Sequence, residues 1–197
     1  MNPKTFIFIG RSGCGKGTQA ELLIEYLKKN DANTPVYYLE TGQSFRNFIE
    51  SGSYSSELAK VIYDHGELQP EFLAVWAWSH LMIENLKGGE HLIVDGTPRK
   101  AHEAAVLDSA MKFYRREKPN LVYVNVSSDW SRERLLARGR SDDNRDDIDQ
   151  RLKWFDTDVV PAINFFKNNG DYNFIEINGE QSVDDVHEEI IKAVEHV

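Results

Sequence analysis

The sequence predicts an α/β fold: a five-stranded parallel sheet with helices on both faces, plus a small helical insertion. Three observations favour it. Five short runs of β-branched and aromatic residues alternate with longer segments of helical spacing, two helical segments follow each other directly, and a glycine-rich turn comes after the first run. Because parallel strands need helix-length crossovers, the alternation indicates a parallel sheet with its ligand site at the carboxyl ends of the strands.

Each element is assigned from its own residues. The predicted strands are 5–9 (TFIFI), 36–39 (VYYL), 91–95 (HLIVD), 121–126 (LVYVNV) and 172–177 (YNFIEI). Helical spacing marks segments 20–30, 70–86, 129–139, 147–170 and 182–197, and Ser182 is a candidate cap for the last of these. Two further helical segments, 42–52 and 55–66, follow each other after the second strand. We therefore expect core residues 1–39, an insertion at 40–69 and core residues 70–197.

Composition limits the classes of function. The chain has 197 residues, of which 41% are hydrophobic and 28% charged, as in one globular domain. A formal net charge of -9 argues against sequence-independent binding to nucleic acid or to an anionic membrane. The single cysteine, Cys14, cannot form an intrachain disulfide, and the first residues lack a signal-peptide pattern, so we expect a cytoplasmic protein.

The stretch GRSGCGKGTQ (10–19) predicts a phosphate-binding loop. A strand leads into a turn with four glycines and then into a helix, so successive backbone N–H groups can surround a phosphate at the positive helix end. Lys16 adds a charge that can reach a transferred phosphoryl group. Gly17 stands where the common loop pattern has Ser or Thr. A glycine-rich turn with an incidental lysine is the structural alternative, and Cys14 is expected to contribute its backbone N–H rather than a reactive thiol.

Charged residues elsewhere fit phosphoryl transfer. Asp95 ends the third strand, where a carboxylate can orient Mg²⁺ or its waters, although a helix cap is the alternative. Arg99 follows at the same rim. The segment 134–151 supplies further arginines, which are either a solvated charged face or the positive charge that the equatorial phosphoryl oxygens need. The candidates among them are Arg134, Arg138, Arg140 and Arg151.

Five motifs resemble those of the adenylate kinase family, or more broadly the nucleoside monophosphate kinases. GRSGCGKGTQ resembles the family's G-x-P-G-x-G-K-G-T-Q, TGQSFR (41–46) its T-G-D-x-x-R, and HGELQP (65–70) its G-x-L-V-P. DGTPR (95–99) resembles D-G-F-P-R. RSDDN (140–144), with RL eleven positions after its arginine, resembles the R-x-D-D-N and R-L pair. The motifs stand in the family's order along nearly the whole chain.

The resemblance implies a phosphate-loop kinase that transfers the γ-phosphoryl group of Mg-ATP to a nucleoside monophosphate, with the insertion binding the acceptor and Asp95 reaching Mg²⁺ through water. The implied catalytic residues are Lys16, Arg99, Arg138, Arg140 and Arg151. Those implied for ATP are Gly13, Cys14, Gly15, Lys16, Gly17, Thr18, Arg134, Arg138 and Gln181. Those implied for the acceptor are Thr41, Gly42, Arg46, Glu67, Leu68, Gln69, Gly96, Arg99, Glu103, Arg140 and Arg151.

The chain also departs from the family pattern. Ser12 replaces the loop proline, Thr97 replaces the Phe of D-G-F-P-R, and Glu103 stands where adenylate kinases carry a Gln. A Gln amide matches the N1 acceptor and N6 donor of adenine, whereas an ionised Glu only accepts and suits the N1–H and N2–H₂ edge of guanine. Glu103 is thus either a reader of the base or a surface residue. AMP is the expected acceptor, with GMP, UMP/CMP and deoxynucleotides as alternatives.

The lid is the other departure. Only Gly139 separates Arg138 from Arg140, which predicts a minimal lid loop at 138–143 in place of a lid domain. A kinase must keep water from the transferred phosphoryl group, so we expect closure to depend on the 40–69 insertion, the arginine loop or a neighbouring subunit. Monomer and homo-oligomer both stay open. The rival functions are a nucleotide-binding regulatory protein without transfer and a small-molecule kinase of the shikimate or gluconate type.

Overall fold

The fold is built on a five-stranded parallel sheet. The computed structural model describes residues 3–139 and 145–195. The strands are β1 (Thr5–Ile9), β2 (Val36–Glu40), β3 (His91–Asp95), β4 (Asn120–Asn125) and β5 (Asn173–Asn178). They lie in the order β2-β3-β1-β4-β5, and every neighbouring pair is parallel. The predicted α/β class with five parallel strands is confirmed.

Strand ends follow backbone pairing more closely than side-chain type. β1 and β3 begin and end where the apolar runs do, whereas β4 and β5 are each displaced by one residue from the predicted bounds. Their ladder begins at the pair Asn120 and Asn173 and ends at Asn125 and Asn178. The polar side chain at the start of β4 is itself used, since Asn120 Nδ2 donates to the carbonyl of Thr5 on β1 at 3.2 Å.

Nine α-helices lie within the described ranges. They are α1 (Lys16–Asn30), α2 (Thr41–Ile49), α3 (Tyr54–Asp64), α4 (Glu71–Asn85), α5 (Ala101–Phe113), α6 (Ser128–Arg138), α7 (Arg145–Trp154), α8 (Val160–Lys167) and α9 (Val183–Glu195). Ser53 and Ser127 cap α3 and α6 through their hydroxyls. Ser182 accepts from the N–H of Asp185 at 3.1 Å, as its predicted capping role requires.

One predicted helix is interrupted, and one observed helix was not predicted. The segment 147–170 is not continuous, because a π-helical segment, Phe155–Val159, separates α7 from α8. Pro161 stands in the first turn of α8 and has no N–H to donate to the carbonyl four residues earlier, so regular α-helical bonding cannot pass through it. Helix α5 lies outside the segments that helical spacing marks.

Apolar side chains cover both faces of the sheet. On β1, Phe6 and Phe8 pack into one buried cluster that includes Leu23 of α1, and Ile7 and Ile9 pack into the other. The first cluster is completed by α9 and the second by α4, α5 and α8. The alternation along β1 therefore places helices on both sides, as predicted. Within residues 3–139 and 145–195, no helix is long and apolar enough to cross a membrane.

Candidate active site

A cavity of about 590 Å³ lies beyond the carboxyl ends of the strands. Its walls come from the loop after β1, the start of α2, the chain after α3, the connection after β3, and helices α6 and α7. Most of the predicted site residues line this one cavity. They are Gly13, Gly15, Lys16, Gly17, Thr18, Thr41, Gly42, Arg46, Glu67, Leu68, Gln69, Asp95, Gly96, Arg99, Glu103, Arg134, Arg138 and Arg151.

Among the described residues, two that were predicted, Cys14 and Gln181, are not part of the lining. Cys14 belongs to the loop after β1, but it is buried and does not line the cavity. Gln181 lies away from the lining, and its amide donates to the carbonyl of Asn178 and to Glu189 Oε1. Arg140 lies outside the described residues, as do the other residues of the motif at 140–144.

The loop after β1, residues 10–15, exposes backbone donors at a helix start. Gly13 and Gly15 have φ of 82° and 94°, which non-glycine residues rarely adopt. Gly15 is the N-cap of α1, and since glycine has no side chain, the first N–H groups of α1 receive no side-chain cap. These donors and the positive helix end face the cavity that Gly15, Lys16 and Gly17 line. The local geometry is therefore that of a phosphate site.

Lys16 lies folded across this loop. Its Nζ donates to the carbonyls of Gly10 at 3.0 Å and Arg11 at 3.1 Å, and lies 3.7 Å from Cys14 Sγ. Burial raises the pKa of the Cys14 thiol although the ammonium is close, so the thiol stays neutral. Cys14 thus packs as a small buried residue, and the charge of the loop belongs to Lys16.

Distant parts of the chain hold the loop in place. The hydroxyl of Ser131 on α6 donates to the carbonyl of Ser12. Arg11 donates through Nε to the carbonyl of Val126 at 3.2 Å. Gln19, at the start of α1, donates through Nε2 to the carbonyl of Val183 at 2.9 Å. All three partners come from the second half of the chain, after β4.

Replacement of Gly10 by alanine should damage this loop. A Cβ at Gly10, where φ is 154°, would lie 2.5 Å from the Val124 carbonyl oxygen and 2.9 Å from Cys14 Sγ. Because the first neighbour is backbone, the strand or the loop must shift, at a cost of about 2–4 kcal/mol. We expect a fall in Tm of about 5–10 °C, measured by calorimetry. Gly89→Ala is the control, since nothing lies within 4 Å of a Cβ there. Equal Tm values for the two variants would contradict this account.

Asp95 meets the requirement of a magnesium-orienting carboxylate. It pairs with Phe8 in the register of β3 with β1, which brings it to the phosphate loop, and its Oδ2 would lie 3.6 Å from a Cβ at Gly17. Tyr38 of β2 donates its hydroxyl to Oδ2 at 3.4 Å. The other oxygen, Oδ1, is buried without a hydrogen-bond partner among the described residues. A water held by Mg²⁺ would satisfy it, so the residues present fit the ion.

The start of α2 brings a second helix N-terminus and a further cation to the cavity. Gly96 has no side chain, and a Cβ there would meet the N–H of Gly42 at 3.5 Å and the Arg99 guanidinium at 4.0 Å. The start of α2 therefore lies directly against the end of β3. Arg46, one turn into α2, lies 3.6 Å from Glu40 and 2.7 Å from the amide oxygen of Gln43. A positive charge and a helix start thus face the same space as Arg99.

Arg99 and Glu103 are joined at the start of α5. Arg99 is surrounded by protein yet stays accessible from the cavity, and its Nε donates to the carbonyl of Gly96 at 2.9 Å. Burial lowers the pKa of the Arg99 guanidinium. Glu103 Oε2 accepts from the N–H of Arg99 at 3.0 Å and from the hydroxyl of Thr97 at 3.4 Å. Two departures from the family pattern, Thr97 and Glu103, are therefore in contact.

Glu103 is not a surface residue. Its side chain is 3% exposed, and burial raises its pKa, while Arg99 and the hydroxyl of Thr97 act in the opposite direction. The alternative of a solvent-facing glutamate is wrong, because Glu103 and Ala104 are buried in the first turn of α5, whereas Ala101 and His102 are exposed. Glu103 lines the cavity, which agrees with the interpretation that it reads the base and not with that of a surface residue.

Helices α6 and α7 supply the remaining cations. Arg134 and Arg138 line the cavity from α6, with the Arg134 guanidinium 5.8 Å from the ring centre of Trp130. Gly139 ends α6 with φ of 63°. Arg151 lines the cavity from α7, and its charge is close enough to depress the pKa of Arg99 further, behind the effect of burial.

Sequence reasoning missed several residues of the site, among them Trp154 and Tyr38. Trp154 lines the cavity and lies three positions after Arg151, a spacing that places both on one side of α7. Tyr38 holds Asp95 through its hydroxyl. Helical spacing from Arg151 was the available signal for Trp154. Tyr38 gave no signal, because an aromatic residue inside a strand is ordinary core composition.

Fold and site together define a phosphotransferase: a glycine-rich loop with one lysine shares a single cavity with a group of arginines. Comparison with known proteins agrees. The family model described as "Adenylate kinase" matches residues 8–171. The chain is 31% identical to an adenylate kinase of Leptospira biflexa serovar Patoc over 195 residues, covering 97% of this chain and 100% of the relative. It is 32% identical to an adenylate kinase of Corynebacterium diphtheriae, with 95% and 97% covered.

The chain belongs to the adenylate kinase family. It is a nucleoside monophosphate kinase, with ATP and a nucleoside monophosphate as its substrates.

Proposed function

We propose that the protein phosphorylates AMP with ATP, yielding two molecules of ADP. The observation that carries the proposal is that one cavity holds both the glycine-rich loop with Lys16 and a second pair of cations, Arg46 and Arg99. A nucleotide-binding regulator needs only the first. The relatives named above, with which the chain aligns nearly end to end, are adenylate kinases. This similarity supports AMP as acceptor.

The residues divide into two substrate sites. Backbone from Gly13 to Thr18 surrounds the β- and γ-phosphates of ATP, Arg134 lies against the ATP base, and backbone near Gln181 contacts its far edge. Thr41, Gly42, Arg46 and Arg99, with backbone at Glu67, Leu68, Gln69 and Gly96, hold AMP. Thr41 Oγ1 is buried without a hydrogen-bond partner within the described ranges, as expected of a hydroxyl that would bond to a ligand.

Transfer follows from this arrangement. A phosphate oxygen of AMP attacks the γ-phosphorus in line, the bond from that phosphorus to the β–γ bridging oxygen breaks, and ADP leaves with the bonding electrons. Lys16, Arg138, Arg140 and Arg151 neutralise the charge on the equatorial oxygens. Asp95 would hold Mg²⁺ through water, and the ion would supply positive charge to the ATP phosphates. The chain itself forms no covalent intermediate.

We infer that residues 40–69 act as the acceptor-binding unit and that the segment 138–143 serves as a minimal lid. We also place the enzyme in the cytoplasm. The acceptor and the donor are small diffusible nucleotides, and the one cysteine, Cys14, is a buried free thiol.

Glu103 sets the preference for the base. Protonated, its carboxyl group can donate to N1 of adenine and accept from the N6 amino group; ionised, it only accepts. Burial favours the protonated form and raises the pKa of Glu103. AMP binding should then weaken as pH rises through the pKa of Glu103. GMP is the second candidate acceptor, because ionised Glu103 matches the N1–H and N2–H₂ groups of guanine.

The variant Glu103→Gln should remove this pH dependence. A Gln amide offers one donor and one acceptor at every pH, so we expect the KM for AMP at neutral pH to fall about 5–10-fold, the value of one recovered hydrogen bond. The KM for AMP should also become flat between about pH 5 and 8, in contrast to the wild type. The KM for ATP is the internal control. A wild type that prefers GMP, together with a Glu103→Gln variant that loses GMP, would assign guanine instead.

The function is tested by one panel. Purified protein is incubated with Mg-ATP and each of AMP, GMP, UMP, CMP and their deoxy forms, and diphosphate products are separated by chromatography. We expect ADP formation with AMP to exceed product formation with every other acceptor. Turnover with no monophosphate, despite ATP binding, would support the regulatory interpretation and reject the kinase.

A further inference from the structure

The end of the 40–69 insertion is bonded to helix α7. Trp154 Nε1 donates to the carbonyl of Gly66 at 3.1 Å, across 88 residues of sequence. Gly66 has φ of 66°, and a Cβ there would lie 3.0 Å from the Cα of Asp147. Gly66 is therefore in close backbone contact with α7, and the bond from Trp154 lies at the other end of that helix. This contact joins the acceptor wall to the helix that carries Arg151.

Trp154 also supports an acceptor-site cation. The guanidinium carbon of Arg99 lies 5.8 Å from the centre of the Trp154 ring. An aromatic face attracts a guanidinium without neutralising its charge, unlike a carboxylate. The contact with Trp154 thus leaves the charge of Arg99 available to a phosphate. One indole group therefore contacts both the insertion, through its N–H, and Arg99, through its face.

A kinase without a lid domain needs another contact to close its active site against water. The chain between Arg138 and Arg140 holds a single residue, so there is no room for a lid domain there. Water that reaches the γ-phosphorus would turn transfer into hydrolysis. The contact of Gly66 with α7 lies between two walls of the cavity, because Gly66, Arg151 and Trp154 all line it.

We propose that Trp154 is a positioning residue that latches the acceptor-binding insertion to α7 and holds Arg99, so that the acceptor pocket closes without a lid domain. The inference rests on the proposed kinase function. Its chemical basis is one N–H to carbonyl bond and one cation–π contact, both made by the same side chain.

Trp154→Phe separates the two contacts, because it keeps an aromatic face for Arg99 and removes the donor to Gly66. We expect the KM for AMP to rise about fivefold, the value of one hydrogen bond, with the KM for ATP unchanged. The ratio of ATP hydrolysis to phosphoryl transfer, measured as free phosphate against ADP, should rise several-fold. Trp154→Leu removes both contacts and should in addition lower kcat.

Gly66→Ala tests the contact from the other side. Its Cβ would push against the backbone of α7, so it should raise the same ratio without touching the tryptophan. If Trp154→Phe fails to fold, Gly66→Ala still tests whether the contact between Gly66 and α7 affects the ratio of hydrolysis to transfer. Trp78→Phe is the matched control, since Trp78 is 1% exposed in the core and does not line the cavity. It should lower Tm and leave the ratio unchanged.

The outcomes are distinct. If both Trp154→Phe and Gly66→Ala left the KM for AMP and the hydrolysis ratio unchanged, the proposed role of Trp154 would be wrong. A rise in the ratio for Trp78→Phe equal to that for Trp154→Phe would reduce the effect to general destabilisation and would also overturn it. If the wild type phosphorylates no monophosphate, the kinase proposal fails, whereas in a wild type that turns over AMP the variants test the role of Trp154 alone.

Discussion

Lys16→Met is expected to lower kcat by about 10³-fold while the protein stays folded. The Lys16 ammonium is held at the loop by the carbonyls of Gly10 and Arg11, and it lines the cavity. A γ-phosphate bound at the start of α1 would replace these two carbonyls as its partner. Methionine has similar length and no charge, so the variant removes the electrostatic stabilisation of the transition state and little packing. A coupled assay of ADP formation gives kcat.

The control for this variant is on the same helix. Lys28→Met changes a lysine in the last turn of α1 that is exposed and far from the cavity. Its kcat should equal that of the wild type, and both variants should melt within about 3 °C of it. A kcat for Lys16→Met within about tenfold of the wild type would remove Lys16 from the transfer step.

Arg151→Ala is expected to reduce kcat by about 10²–10³-fold, with a smaller effect on the KM for ATP. Arg151 and Arg99 come from α7 and the start of α5, yet their charges are close enough to interact unfavourably. A phosphoryl group in transit is an anion that both cations attract, and its arrival offsets their mutual repulsion. Arg151→Lys should recover only part of the rate, since an ammonium cannot bind two oxygens in one plane.

Arg145→Ala provides the comparison for Arg151. Arg145 begins α7, is exposed and does not line the cavity. Its loss should leave kcat and both KM values unchanged. If Arg151→Ala raised the KM for AMP alone and kept kcat, Arg151 would be an acceptor-binding residue without a part in the transition state.

Much of the fold was predictable because buried parallel strands are short, continuous apolar runs. TFIFI and HLIVD match β1 and β3 residue for residue. The ends of β4 and β5 were not predictable, because Asn120 and Asn173 belong to the ladder through backbone pairing that side-chain type does not reveal. The break in the segment 147–170 had a visible cause in Pro161. The position of the break, however, is set by the π-helical segment Phe155–Val159, which directly precedes α8.

The site was predictable where motifs fix the backbone. The loop glycines, Asp95 and Arg99 lie on one cavity because strand ends meet at one sheet edge. Contacts between motifs were not visible in the sequence. Thr97 and Glu103 look like two separate departures, and only their hydrogen bond shows that they form one unit. Trp154 contacts Gly66 across 88 residues, a distance over which single-sequence patterns carry no information.

The supports of the phosphate loop also bear on the order in which the enzyme is made. Val126, Ser131 and Val183, which hold Arg11, Ser12 and Gln19, all leave the ribosome long after the loop itself. β1 likewise lies between β3 and β4, so its two neighbours are synthesised later. During translation β1 and the phosphate loop therefore lack their neighbouring strands and hydrogen-bond partners until these have been synthesised. A nascent chain that stops before β4 should not retain ATP, and the ability to bind nucleotide should appear late in synthesis and all at once.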